Sequence, residues 1–241
     1  MSDLVAQISS SINELTREFN IIAHNLANVS TAGYKRRCNA FSKALIAQEP
    51  AAGVSSEVSL NTIFDFSQGE ISQTGRSLDF ALCGKGFFVI ETPQGLLYTR
   101  NGVFHLNQNG QIVDSSGRIV AGEAGPISIP PNVGISQISV SNDGSISADG
   151  TPIGKFKLVD FKDGESELVA VGTNCFQAPE GITTEPPENL IVKQGFQESS
   201  NVQMVEELVD MMMVSRLYEA NMKFVSAGGE TSKSIIDIAM G

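Results

Sequence analysis

Where the backbone breakers fall constrains this chain more than any motif does. All nine prolines lie between Pro50 and Pro187, and 19 of the 23 glycines lie between Gly53 and Gly195. The first 49 residues hold only Gly33, and the last 44 hold only Gly228, Gly229 and Gly241. Proline inside a helix costs about 3 kcal/mol and glycine about 1, so both ends are free to be long helices and the middle is not. The middle carries short runs rich in aromatic and β-branched residues, among them 86–90, 135–140 and 156–161. Between and around these runs stand Asn101-Gly102, Asn109-Gly110, Asp143-Gly144, Asp149-Gly150 and Asp163-Gly164, dipeptides that supply the positive φ angles of tight hairpins. The predicted fold class is α+β: an antiparallel all-β middle, barrel- or sandwich-like, flanked by long N- and C-terminal helices. The divisions that follow are 1–45 for the first helix and a motif loop, 46–63 for a linker, 64–197 for the β middle and 198–241 for the last helix.

Both ends carry an apolar seam. Ile8, Ile12, Leu15, Phe19, Ile22 and Leu26 recur at alternating spacings of 4 and 3. So, in outline, do Val205, Val209, Met213, Leu217, Ala220, Phe224 and Ala227, with Ile235 and Ile238 beyond them. That is the period of a helix packed along another helix, and it predicts that the ends pair as an antiparallel coiled coil. Ser200 with Gln203 reads as a capping box opening the second helix. Leu208, Val209, Met211, Met212, Met213 and Val214 surround the lone Asp210 and cover nearly the whole circumference. A helix apolar all round is buried all round, which a two-helix hairpin cannot supply, so this stretch is expected to lie between subunits, the alternative being the core of its own domain. Asn20, His24 and Asn28 form an i, i+4 stripe with Asn25 beside it, either solvated or bonded to neighbouring helices. Lys35-Arg36-Arg37 is either a solvated segment past a helix end or a contact for an acidic neighbour.

Composition removes several function classes. The formal charge is −11 over 241 residues, which argues against neutralising a run of phosphates. No stretch approaches the roughly 20 consecutive apolar residues that span a bilayer, so membrane insertion is not expected. The first residues, Met1 to Ser11, have no basic region ahead of an apolar one, and no cleavable secretory signal is expected. Cys38, Cys83 and Cys175 are odd in number, far apart and without zinc-ligand spacing, so they read as small buried hydrophobes. Gly84-Lys85-Gly86 starts like a dinucleotide fingerprint, but Val89 stands where its third glycine belongs. Neither His24 nor His105 sits in a catalytic context. No catalytic, cofactor-binding or metal-binding residue is assigned, and an enzyme is not expected.

Residues 25–36, Asn-Leu-Ala-Asn-Val-Ser-Thr-Ala-Gly-Tyr-Lys-Arg, resemble the N-L-A-N-x-x-T-x-G-Y-K/R signature of bacterial flagellar rod and hook proteins. Ser200-Asn201-Val202, then Glu206-Glu207-Leu208-Val209 and Arg216-Leu217-Tyr218-Glu219-Ala220-Asn221, are similar to that family's C-terminal signature. Leu78-Asp79-Phe80-Ala81, Gly84-Lys85-Gly86-Phe87-Phe88 and Tyr98-Thr99-Arg100-Asn101-Gly102 match its middle. Within the family, the short connection from Arg37 to Leu78 and the stretch Gly122 to Ile127 look most like the proximal rod type, with the distal type next. Departures are His24 for a usual Asn, Ser215 for a usual Gln, and Gly228-Gly229-Glu230 near an expected acidic pair.

The resemblance implies a non-enzymatic structural subunit of the flagellar basal body, without cofactors. It would pass through the flagellar type III export apparatus and polymerise into the axial tube that transmits torque. Its partners would be copies of itself and other rod proteins, with the terminal helices as inner layer. Seams and signatures together make the expected assembly interface Ile8, Ile12, Leu15, Phe19, Ile22, Asn25, Leu26, Asn28, Gly33, Tyr34, Val205, Val209, Met212, Met213, Arg216, Leu217, Tyr218, Ala220, Asn221 and Phe224.

Overall fold

A continuous apolar run forms a strand that is buried on both faces. The computed structural model describes residues 2–39, 62–162, 164–172 and 174–240, with side chains at 2–6 and 228–240 left aside. The linker expected at 46–63 therefore lies outside the described residues except for Thr62 and Ile63, as do the side chains of Gly228, Gly229, Glu230, Ile235 and Ile238. In the strand Phe87–Thr92, Phe88 and Ile90 point into one apolar cluster while Phe87 and Val89 point into another. The first cluster stacks Phe80, Phe88, Phe104 and Phe156, all fully buried. Its rings meet edge to face, with centroids 5.1 Å apart for Phe80–Phe156 and for Phe88–Phe104. The second gathers Phe64, Tyr98, Phe161 and Phe176. Truncating Phe156 to alanine should cost about 3–5 kcal/mol, read as a lower thermal midpoint of the full chain.

The chain divides into two compact units. One comprises Asn28–Arg36 and the described parts of Ile63–Val202. Its main sheet has nine antiparallel strands among the described residues. They run in the order Val169–Val171, Cys175–Gln177, Gly95–Thr99, Phe87–Thr92, Ile119–Gly122, Ile112–Val113 and His105–Leu106, with Gly125–Pro126 and Leu158–Val159 as branches. Among the described residues, three smaller sheets lie wholly within this unit: Ile138–Val140, Ser145–Ala148 and Thr151–Lys155; Ile191–Gln194 with Phe80–Cys83; and Phe196–Glu198 with Ile71–Gln73.

This corrects the barrel-like expectation. The main sheet stays open, its two- and three-residue edge strands do not pair with each other, and short separate sheets accompany it where a barrel would curl round on itself. Asn109-Gly110, Asp143-Gly144 and Asp149-Gly150 do join paired strands, with positive φ at each glycine and at Asp149. Asn101-Gly102 does not; its glycine is needed because a Cβ there would lie 1.9 Å from the Phe80 carbonyl oxygen. Residues 135–137 form a 3-10 turn rather than strand, and Asp163 lies outside the described residues.

The second unit takes the described parts of Met1–Ala27, Arg37–Thr62 and Gln203–Gly241. It holds helix α1, Ser2–Ala27, and helix α2, Met204–Met240. Contacts between the helices run from Asn25 and Glu207, whose side chains bond at 3.2 Å, to Ser11 and Asn221, at 3.3 Å. Leu15, Phe19, Val214 and Tyr218 help line a groove of about 330 Å³ between these points.

The coiled coil is not found. On α2 the seam Val205, Val209, Met213, Leu217, Ala220 and Phe224 is exposed, with Val205 at 74 % and Phe224 at 70 %. The residues on the α1 side are instead Glu207, Val214, Tyr218 and Asn221. At roughly 100° per residue, that stripe lies about 120° round the helix from the seam. Apolar residues run nearly all round α2, so either stripe satisfies a 3–4 spacing, and the buried Glu207 selects the one that meets α1. On α1, Ile22 is buried but Phe19 is exposed. The capping box is also not formed: α2 opens at Met204, and Ser200 Oγ accepts from the Val202 amide at 3.2 Å. Among the described residues, no helix is long and apolar enough to cross a membrane.

Candidate assembly interface

The loop after α1 is pinned by backbone before any side chain acts. Gly33 adopts φ +66°, and its amide donates to the Glu198 carbonyl oxygen at 2.7 Å. A Cβ at Gly33 would stand 2.4 Å from the Asn101 nitrogen, so no side chain fits there. Tyr34 is buried; its carbonyl oxygen accepts from the Asn201 amide, and Asn201 Oδ1 accepts from the Arg36 amide at 2.7 Å. Asn174 Nδ2 donates to the Ala32 carbonyl oxygen at 2.7 Å. Asn28 Oδ1 accepts from the Thr31 hydroxyl, closing the turn at the start of the loop.

Lys35 is the unexpected member of this loop. Its side chain is buried, and its Nζ donates to Glu198 Oε1 and to the Ser67 carbonyl oxygen, each at 2.7 Å. Lysine is almost never fully buried unless paired, and the partner is the chain's own glutamate. Burial pushes the Lys35 ammonium below the ordinary lysine range, with Glu198 pulling the other way. Arg100 Nη1 lies 3.8 Å from Glu198 Oε2, while Arg100 Nη2 donates to the Gly84 carbonyl oxygen. Burial lowers the Arg100 guanidinium too, again opposed by Glu198. The solvated reading of the basic run is therefore wrong for Lys35.

In the helical unit, Asn25 is the buried node. Its Nδ2 donates to the Arg37 carbonyl oxygen at 2.9 Å and to Glu207 Oε2, and its Oδ1 accepts from the Arg37 amide at 2.8 Å. Asn20 and His24 of the same stripe are exposed. Ile22, Asn25, Gly33 and Tyr34 are buried within the chain, whereas Ile8, Ile12, Leu15, Leu26, Asn28 and Asn221 are half-buried. Phe19, Val205, Val209, Met212, Met213, Arg216, Leu217, Tyr218, Ala220 and Phe224 are exposed. The methionine-rich stretch is bare rather than covered: Met212 is 55 % and Met213 53 % exposed, and Val214 is its one buried member.

Sequence reasoning missed Glu198, Arg100 and Ser67 as partners of the loop. Glu198 precedes the C-terminal signature and carries no local pattern; only a lysine in an otherwise loop-forming motif hinted at a buried anion. Cys38 and Cys175 are buried and Cys83 is half-buried; burial raises the Cys175 thiol, which accepts from Arg118 Nη2 at 3.0 Å.

A broad bare apolar face on a helix is the mark of a chain with an interaction surface. Comparison with known proteins narrows this. Residues 81–148 match the family model described as flagellar hook protein FlgE/F/G D1 domain, and residues 193–238 match that of the flagellar basal body rod FlgEFG protein C-terminal region. The flagellar basal-body rod protein FlgG of Buchnera aphidicola subsp. Schizaphis graminum is 34 % identical over 239 residues, covering 88 % of this chain and 90 % of its own. FlgF of Caulobacter vibrioides is 30 % identical over 233 residues, with 92 % of each chain covered. FlgF of Salmonella typhimurium is 32 % identical over 224 residues, with 87 % of each covered. The chain belongs to the flagellar basal-body rod protein family.

Proposed function

We infer that this chain is a structural subunit of the bacterial flagellar basal-body rod and that subunits join through the bare face of α2. The observation that carries the reading is the row Val205, Val209, Met212, Met213, Leu217 and Phe224, exposed on a helix of a chain related throughout to rod proteins. Apolar surface of this extent is costly to leave in water, at about 25 cal/mol per Å², and covering it is the driving force for association. In that role, the partners are copies of the chain and other rod proteins, delivered by the flagellar export apparatus. The assembled product is an axial tube that transmits torque and passes exported subunits.

The relatives are named as rod proteins, which fits a structural rather than a catalytic role. Purified chain, concentrated stepwise and followed by sedimentation and negative-stain electron microscopy, should form tubes with a central channel. A chain that stays monomeric at every concentration, alone and mixed with other rod proteins, would overturn the reading.

A further inference from the structure

Glu198 binds groups that reach it from distant parts of the sequence. Lys35 Nζ donates to its Oε1 at 2.7 Å, the Gly69 amide donates to the same oxygen at 3.0 Å, and Arg100 approaches its Oε2 at 3.8 Å. Lys35, Arg100 and Glu198 are all buried. Lys35 sits in the loop that follows α1 in the chain, and Glu198 in the strand that precedes α2. Water can replace the half-exposed bonds around Asn201 when either segment lifts. It cannot readily replace a buried charge partner, because a carboxylate left behind in the interior loses its compensation while remaining desolvated.

We propose that Lys35, Glu198 and Arg100 form an interlock, so that loop 28–36 and segment 196–202 dock and release as one. If the loop leaves alone, it strands the Glu198 carboxylate with one backbone amide, that of Gly69, and a guanidinium that does not reach hydrogen-bond distance. If the segment leaves alone, it strands Lys35 and Arg100, two like charges, in the same pocket. Backbone bonds reinforce the pairing, from the Gly33 amide to the Glu198 oxygen and from the Asn201 amide to the Tyr34 oxygen. The consequence is a conformational switch: the segments leading to the two terminal helices are ordered together or freed together. This inference does not depend on the rod assignment.

Native-state hydrogen exchange of the full chain in rising, sub-denaturing urea tests it. One side is read at Thr31 and Tyr34, whose amides bond within the loop to the Asn28 and Thr31 oxygens. The other is read at Ser199, whose amide bonds to the Glu70 oxygen, and at the ladder pairing Phe196–Glu198 with Ile71–Gln73. The expected result is a single opening isotherm for both sets, below that of the strand Phe87–Thr92. Lys35→Met should speed exchange at Ser199 and in the ladder by the same factor as at Thr31 and Tyr34, roughly two to three orders of magnitude. Glu198→Gln should do the same when read from the loop side. Separate isotherms in the unaltered protein, or a Lys35→Met effect confined to residues 28–36, would overturn the interlock. If Lys35→Met fails to fold, the unaltered protein and Glu198→Gln still decide.

Discussion

Replacing Met212 by aspartate is expected to abolish assembly while leaving the thermal midpoint of the β unit unchanged. Met212 is more than half exposed on α2, so a carboxylate there is hydrated in the free subunit and costs little. In a contact that covers this face, the same carboxylate loses its water and gains no partner, a penalty of several kcal/mol per contact. That is enough to shift association by orders of magnitude, since each 1.4 kcal/mol is about tenfold. The control is Val214→Asp on the same helix. Val214 is buried on the side that meets α1, so its replacement should already loosen the helix pair in the free chain. Sedimentation and electron microscopy report assembly, and circular dichroism reports the two classes of structure separately. Normal tubes from Met212→Asp would mean that this face is not where subunits meet.

How far the sequence could be read depended on whether a feature was local. The strand at Phe87–Thr92 was legible because an unbroken apolar run has to be buried on both faces. The turns at Asn109-Gly110, Asp143-Gly144 and Asp149-Gly150 were legible because positive φ leaves a residue-type signature. Strand order was not, since it rests on pairings such as Phe176 with Tyr98 and Leu158 with Phe88 that no local spacing encodes. The face that α2 turns to α1 was misread for a different reason. A helix apolar nearly all round offers several stripes of equal quality, and one buried glutamate settles the choice without altering the hydrophobic period. Lys35 was misread because a charge run beyond a helix end is ordinarily solvated, and its partner lies 163 residues away. For the candidate interface, the types of residue were visible in the sequence. Which of them point outward was not, because that depends on Asn25 and Glu207 meeting in the interior.

Gly33→Ala is expected to destabilise the chain by about 3–5 kcal/mol through loss of a buried ion pair, although the substitution adds only a methyl group. The left-handed φ of +66° costs a non-glycine residue roughly 1–2 kcal/mol by itself. The added Cβ would also stand 2.4 Å from the Asn101 nitrogen and 2.6 Å from the Arg100 carbonyl carbon. That backbone cannot easily give way, because the Asn101 amide is held by Thr99 Oγ1 at 3.0 Å and the next carbonyl oxygen, that of Gly102, accepts from the Phe80 amide at 2.9 Å. The loop must therefore move instead. Its displacement breaks the bond from the Gly33 amide to Glu198 and draws the Lys35 ammonium away from a carboxylate that stays buried. At roughly 2–4 °C per kcal/mol for a unit of this size, the thermal midpoint should fall by about 10 °C. Gly75→Ala separates the two causes. Gly75 has a similar φ of +74° but open space where its Cβ would go, so it should show the strain alone. A Gly33→Ala midpoint no lower than that of Gly75→Ala would mean that the loop accommodates a side chain, and that the glycine of the signature serves conformation rather than close packing against Asn101.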